Sequence, residues 1–547
     1  MDFHLPYLLY MEKYTSKTTA LYYALRDRIV AGELASGAKL PSSRDLANSY
    51  GLARGTVNTV YETLIAEGYL RGELGRGTFV AYSDDRKVDR NNDMKDVQAG
   101  QSDVRTTIRL SAWGERVAEL WVQPNREEDD VEQNRRSSTG SVNNRGNKRK
   151  VHWGDRFQAN GSNLADVGGS SEVDGKERLN VRWAFQQALP DLRYFPVVEW
   201  NRCVHEEVRM MSQQHERDLH LTEGSLELRE AIAQHVQRSR GIDAKAEQIV
   251  IVNGSMQAIA LLAQLLVSPG DRVVIESPGY SPVARAAQAA GGEVLLASVD
   301  ASGIVPQPWD ARLLHVTPSR QFPTGSVLPL ERRQALLRWA AEHDAVIVED
   351  DYDSEFRHRG RPLEPLKRLD ADGRVVYIGT FTLTMLRTLR IAYAVLPEGL
   401  TAAFVAAKRM YEPVSTGLVM QRALAAFMRS GAYERHLRRM KRVYARKYEF
   451  FIGLLQNKLT HLFDWVECDS GLHVFGWWKH NSESYATYKQ ACRKSGLDWI
   501  EVSARHLLPE GKVGASFSFS HFTLEELEEA VEMMYDISCS TSKLHPL

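Results

Sequence analysis

The spacing of apolar residues divides this chain into three zones. In residues 10–82 the pattern is helical and compact. Pro41, Ser42 and Ser43 carry helix-start signals, and residues 41–50 run as a short helix to a tight turn at Gly51-Leu52. A second helix is expected over residues 54–67, with Val57, Val60, Tyr61 and Leu64 at helical spacing and Arg54, Thr56, Asn58 and Thr59 on the opposite side. Helix, short turn and polar-faced helix make a helix-turn-helix. Residues 68–72 and 75–80 then read as two strands about a glycine-rich tip, which is a wing.

Residues 83–180 are polar, with runs such as Arg126-Glu127-Glu128-Asp129-Asp130 and Lys148-Arg149-Lys150. Such a stretch buries too little apolar area to offset chain entropy, so a mostly disordered linker or insert is expected. One apolar island at 108–113 is expected to dock as a short helix. From about 181 to 537, β-rich runs at 248–252, 272–275, 313–316 and 345–348 alternate with helices such as 330–342. That alternation predicts an α/β body whose largely parallel sheet is covered on both faces, followed by a tail at 538–547.

Composition changes this picture little. The chain has 547 residues, 43% hydrophobic and 25% charged, which fits a multidomain soluble protein. Its net charge of -1 supplies no global attraction for nucleic acid, so any such surface must be local. The four cysteines form no CxxC pair, which argues against a metal site or a disulfide framework. With no signal-like start and no long apolar run, a cytoplasmic protein with no membrane contact is expected.

Several loops in the body carry candidate chemistry. Asn253-Gly254-Ser255-Met256 follows a strand and opens a helix, where backbone N–H groups and the Ser255 hydroxyl can face an anion. Tyr280 follows another strand and can stack on an aromatic ring. Glu349-Asp350-Asp351-Tyr352-Asp353 ends an apolar strand, and so many acids in one loop demand cations or solvent. In the loop after the strand at 375–378, Thr380 can meet a phosphate and Arg390 can neutralise it.

Leu40-Pro41-Ser42-Ser43-Arg44-Asp45-Leu46-Ala47, Arg54-x-Thr56-Val57, Glu67-Gly68-Tyr69 and Gly75-x-Gly77-Thr78-Phe79-Val80 resemble the bacterial GntR-type winged-helix regulators in order and spacing. The resemblance implies double-stranded DNA as partner. Ser43, Arg44 and Arg54 would lie at the contact, Thr56 and Asn58 would face the major groove, and Arg76 and Gly77 would make the wing contact.

The body resembles the fold-type I, pyridoxal-phosphate-binding aminotransferase domain of the MocR branch of those regulators. The likeness implies Gly254, Ser255 and Met256 in the phosphate loop, Tyr280 over the ring, Asp350 at the pyridine nitrogen and Tyr352 beside it. Thr380 and Arg390 would be the phosphate ligands, and head-to-tail homodimers are implied. The sequence departs from the pattern at four places. Leu383 replaces the Schiff-base lysine, Arg320 a usual histidine and Arg387 a common proline, while Ser516 aligns with the arginine that clamps substrate carboxylate.

An apolar side chain cannot condense with an aldehyde or shuttle a proton. No catalytic residue is therefore expected, unless Lys367 or Lys408 reaches the site. The reading is a homodimeric, sequence-specific transcriptional regulator. Its body would bind pyridoxal 5'-phosphate non-covalently, or a related amino-acid-like effector. A working aminotransferase fused to a DNA-binding head and a ligand-free scaffold are the alternatives.

Overall fold

The computed structural model describes residues 5–14, 16–73, 76–81, 108–121, 181–210, 221–358, 364–503 and 512–542. The head begins ahead of residue 10, since Leu5 and Tyr7 are already buried. Its helices are α1 (Tyr7–Lys13), α2 (Lys17–Val30), α3 (Ser43–Tyr50) and α4 (Arg54–Ala66). Ser42 caps α3 by accepting from the Asp45 N–H at 3.2 Å, and Gly51 ends it at φ +60°, a turn that favours glycine. The wing is the antiparallel pair β1 (Leu70–Glu73) and β2 (Gly77–Val80).

The body opens with β3 (Trp183–Ala184) and is built on an eight-stranded sheet. Its strands are β4 (Ile249–Val252), β5 (Arg272–Ser277), β6 (Glu293–Asp300), β7 (Gly303–Ile304), β8 (Leu313–Val316), β9 (Val346–Asp351), β10 (Val375–Thr380) and β11 (Ala392–Val395). They lie in the order β4-β11-β10-β9-β8-β5-β6-β7. The sheet is mixed, because β11 runs antiparallel to both its neighbours and β7 antiparallel to β6. Val, Ile and Leu runs are buried along whole strands such as β4 and β8, as expected where helices cover both faces.

The 27-residue helix Ala432–Lys458 leads into a smaller antiparallel sheet. It contains β12 (Phe463–Val466), β13 (His473–Trp478), β15 (Ile500–Ser503) and β16 (Val513–Ser518), while β14 (Leu497–Asp498) pairs with β3.

The polar zone is not linker throughout. The island has no regular secondary structure from Ile108 to Ser111 and becomes a helix only at Ala112–Trp121. Ser111 fixes it to the body through Oγ to Gln264 O at 2.5 Å and N to Leu265 O at 2.6 Å. A Cβ on Gly114 would stand 2.7 Å from Leu265 O, so this close approach requires glycine. Of the linker expected at 83–180, residues 83–107 and 122–180 fall outside the described residues, as does the end of the tail from 543.

Head and body share one apolar core. Leu21, Leu25, Ile29 and Tyr69 of the head cluster with Leu330, Leu336 and Leu366 of the body. No helix among the described residues is long and apolar enough to cross a membrane.

Candidate functional site

In the head, Val57, Val60 and Leu64 bury one face of α4, and the Tyr61 hydroxyl donates to Pro41 O at 2.7 Å, tying α4 to the start of α3. This turns the other face outward. Arg44, Arg54 and Thr59 are exposed, while Ser43, Thr56 and Asn58 are half-buried. On the wing, Arg76 is exposed and its guanidinium lies 2.8 Å from Glu73. Gly77 holds φ +117°, and the end of the Lys39 side chain lies 3.0 Å from where its Cβ would be. Lys39 is exposed and was not singled out from sequence, because it lies outside both helices and the wing hairpin.

In the body, two segments far apart in sequence meet at the glycine loop. Gly254 holds φ +91°, and a Cβ on it would lie 2.6 Å from Nη2 of Arg390. That guanidinium donates to Asn253 O at 3.1 Å. Ser255 and Met256 start the helix Ser255–Leu266 directly after this loop. A cation, a bare glycine and a helix N-terminus brought together have the chemistry to receive an anion. Arg390 itself has φ +52°, a conformation non-glycine residues rarely adopt. Thr380 is less available than expected. Its hydroxyl donates to Thr382 Oγ1 at 2.8 Å and accepts from Thr382 N at 3.2 Å.

Alternation along β9 separates the acids. Asp350 lies 3.5 Å from His315 Nε2 on the adjacent strand β8, both buried, and that nitrogen makes no hydrogen bond. The Tyr280 hydroxyl is pushed up by burial and further by the Asp350 charge, while Arg390 opposes the shift. Asp350, Tyr280 and Arg390 therefore lie within electrostatic reach of one another. Phe322 joins the rings, meeting Tyr280 and Tyr352 edge-on with centroids 6.0 Å apart in both cases.

Asp351 and Asp353 find cations. Asp351 meets Arg240 at 2.5 Å and accepts from the Tyr377 hydroxyl at 2.6 Å. Asp353 meets Arg320 at 3.0 Å, and burial still lifts its carboxyl to about 6. Burial, with the Asp351 charge, lifts Glu355 to about 8. Glu276 is lifted to about 7 by burial, although the Thr317 hydroxyl donates to it at 2.5 Å.

Arg320 is fully buried and reaches across to the small sheet. It donates to His473 Nδ1 at 2.6 Å and to His473 O at 2.7 Å. Burial and Arg320 hold the His473 ring neutral. With Nδ1 accepting, Nε2–H donates to Pro323 O at 3.0 Å. A Cβ on Gly471 would lie 2.2 Å from the Arg320 guanidinium carbon, so the arginine depends on that glycine.

Leu383 is half-buried and packs on the apolar cluster of Phe356, Met440, Tyr444 and Leu472. Both candidate lysines are engaged elsewhere. Lys367 Nζ donates to Val375 O at 2.7 Å, and Lys408 Nζ donates to Thr222 O at 2.5 Å. The Ser516 hydroxyl is buried without a hydrogen bond. Among the described residues no group of His, Cys, Asp and Glu could hold a metal ion.

Comparison with known proteins follows this division. Residues 17–80 match the family of bacterial regulatory proteins, gntR family, and residues 199–532 match aminotransferase class I and II. Over 94% of its length the chain is 30% identical to 92% of a probable rhizopine catabolism regulatory protein, MocR, from Rhizobium meliloti. The chain belongs to the MocR-type GntR regulators. A pyridoxine biosynthesis transcriptional regulator, PdxR, from Corynebacterium glutamicum is 30% identical over 80% of this chain and 79% of its own.

As a MocR-type regulator, the protein is a DNA-binding transcriptional regulator with an aminotransferase-like body. Solved aminotransferases share that fold. The kynurenine aminotransferase of Pyrococcus horikoshii superposes with TM-score 0.59 at 22% identity, covering 66% of this chain and 91% of that one. The α-aminoadipate aminotransferase LysN of Thermus thermophilus gives TM-score 0.58 at 23% identity over 66% and 92%. His315, Phe322 and Arg240 were not foreseen as site residues. His315 sits in an apolar strand, Arg240 at a helix end and Phe322 in a Pro/Gly turn, and none of these local patterns says which strand end the residue will face.

Proposed function

We propose that this MocR-type regulator binds operator DNA through Ser43, Arg44, Arg54, Thr56, Asn58, Arg76 and Gly77, and that its body is a non-catalytic sensor. The sensor takes pyridoxal 5'-phosphate non-covalently in the site of Gly254, Ser255, Met256, Tyr280, Asp350, Tyr352, Thr380 and Arg390. The observation that carries this is the anion cradle, in which Arg390 lies on the bare face of Gly254. The residues fit the cofactor in a second respect. The unbonded His315 nitrogen beside Asp350 marks a buried polar site suited to a ring nitrogen or hydroxyl.

When bound, pyridoxal phosphate supplies an aldehyde and an electron-withdrawing ring. Leu383 offers no amine to hold the aldehyde and no group to move a proton. Lys367 donates to a backbone carbonyl, and Lys408 is held by Thr222 O and Glu412, which weighs against the working-enzyme reading. The test is the absorbance spectrum of the purified protein with and without pyridoxal phosphate, followed by borohydride reduction and intact mass. A cofactor adduct on a lysine would falsify non-covalent binding, and no response at all would favour the ligand-free scaffold.

The protein acts as a homodimer in this reading, in the cytoplasm where its operator lies. Support comes from the helix Val197–Met210, which leaves Val197, Val198 and Val208 exposed at 51%, 80% and 51%. Such a row is unusual on a surface with no partner.

A further inference from the structure

The head is not merely tethered to the body but seated on it. Arg26 of α2 pairs with Glu364 of the body, 338 residues away in sequence, and the two side chains are 5% and 7% exposed. Asp27 backs the same guanidinium at 2.5 Å, and Arg368 of the body approaches Asp27 at 3.7 Å. The Tyr23 ring lies 4.4 Å from the Arg26 guanidinium. Beside them, Gly68 stands over Leu330, with its Cβ direction 3.8 Å from the Leu330 Cβ. The DNA-facing residues Arg44, Arg54 and Arg76 all remain exposed in this docked state. Docking therefore fixes where the recognition helix points without covering it.

One side chain links this seat to the pocket. Arg333 is fully buried in the helix Leu330–Glu342. It donates to Glu364 O at 3.0 Å, to Pro318 O at 2.7 Å and to Leu328 O at 2.8 Å. Pro318 opens the loop that carries Arg320 and Phe322. Ser319 of that loop accepts from Arg240 at 2.7 Å, and Arg240 holds Asp351 beside Asp350. A shift of the loop at the pocket thus pulls on the residue that receives Arg26.

The ion pair makes the seat sensitive to Glu364. Burying two charges costs nearly what their attraction returns, so the shared apolar core supplies most of the hold and the pair sets its geometry. A displaced Glu364 would leave the buried Arg26 charge without its partner, which weakens the docked state.

We propose that Arg26 and Glu364 latch the head onto the body, and that Arg333 couples the latch to the pocket loop, so that an occupied pocket is read as a changed operator affinity. The coupling rests on the effector-binding reading above, whereas the latch does not.

The two are tested separately in the full chain. In a Gly68→Cys/Leu330→Cys variant, also carrying Cys539→Ser, the Cβ separation of 3.8 Å matches that of a disulfide, and denaturant unfolding of the reduced form checks that a side chain at φ +82° is tolerated. Mild oxidation is expected to give an intrachain bridge, seen by intact mass and a non-reducing gel. No bridge, or an interchain one, overturns the latch. Operator affinity is then measured by fluorescence anisotropy with and without pyridoxal phosphate. The reduced variant should respond severalfold and the oxidised one less than twofold, while both bind pyridoxal phosphate alike by absorbance.

Arg26→Gln/Glu364→Gln, which removes the ion pair without leaving a lone charge, should also lose the response while keeping cofactor binding. A full response in the oxidised or the Gln pair variant overturns the coupling. Absence of any cofactor binding in the unmodified protein sinks the sensor reading and the coupling together, and leaves the latch to the disulfide result.

Discussion

Replacing Gly254 by alanine tests the anion cradle at its tightest point. The added methyl would lie 2.6 Å from Nη2 and 3.0 Å from Cζ of Arg390. Real carbons do not approach so closely, so the guanidinium must swing off the loop. It is the far end of a flexible side chain and can move at small cost to the fold. Holding alanine at φ +91° adds strain of roughly 1–3 kcal/mol.

The larger effect falls on the ligand. A hydrogen bond from arginine to a charged phosphate is worth about 1.5–3 kcal/mol, which converts to about a 10- to 150-fold weaker Kd for pyridoxal phosphate. Absorbance titration of the variant measures it, with denaturant unfolding to separate lost affinity from lost stability. Arg390→Ala should lose a similar amount, and the double variant little more, because both changes remove one contact. Unchanged affinity in Gly254→Ala, or losses that simply add in the double variant, would refute the cradle.

Four further outcomes are expected. Arg54→Ala should weaken operator binding more than Asn58→Ala does, on unrelated DNA as well, and lower the salt slope by about 0.9; unchanged operator affinity removes its role. Leu383→Lys should give a borohydride-trapped cofactor adduct by intact mass where the natural chain gives none, and failure to trap would show that position 383 does not face the aldehyde. Burial raises the Glu276 carboxyl from 4.5 to about 7, so its proton favours the folded state below about 4.5 and that stability is lost as pH rises to about 7. Denaturant unfolding should show Glu276→Gln gaining on the natural chain by on the order of 3 kcal/mol across that window, and parallel curves would contradict the buried-acid account. Val198→Asp, on the exposed row of helix Val197–Met210, should shift the protein toward monomer in sedimentation at micromolar concentration without unfolding it.

Much of the molecule was written locally. The polar face of α4 follows from apolar residues every three or four positions, and the wing from glycines flanking two short β runs. Strands such as β4 and β8 announced themselves as apolar runs because they are buried on both faces. The acids around Asp350 predicted cations, since buried like charges cannot stand together. Sequence also gave the glycine before the helix at 255 and the missing amine at Leu383.

Which groups meet was decided only by tertiary structure. Strand order set His315 of β8 beside Asp350 of β9. The return of the chain through β11 carried Arg390 onto Gly254. Arg320 found His473 in a different sheet, and Arg26 found Glu364 in a different domain. Periodicity reports which face of an element is buried, because that depends on neighbours three or four residues away. It cannot report what lies across the interface. That partner is fixed by how whole elements stack, and the free energy that fixes it belongs to contacts hundreds of residues apart.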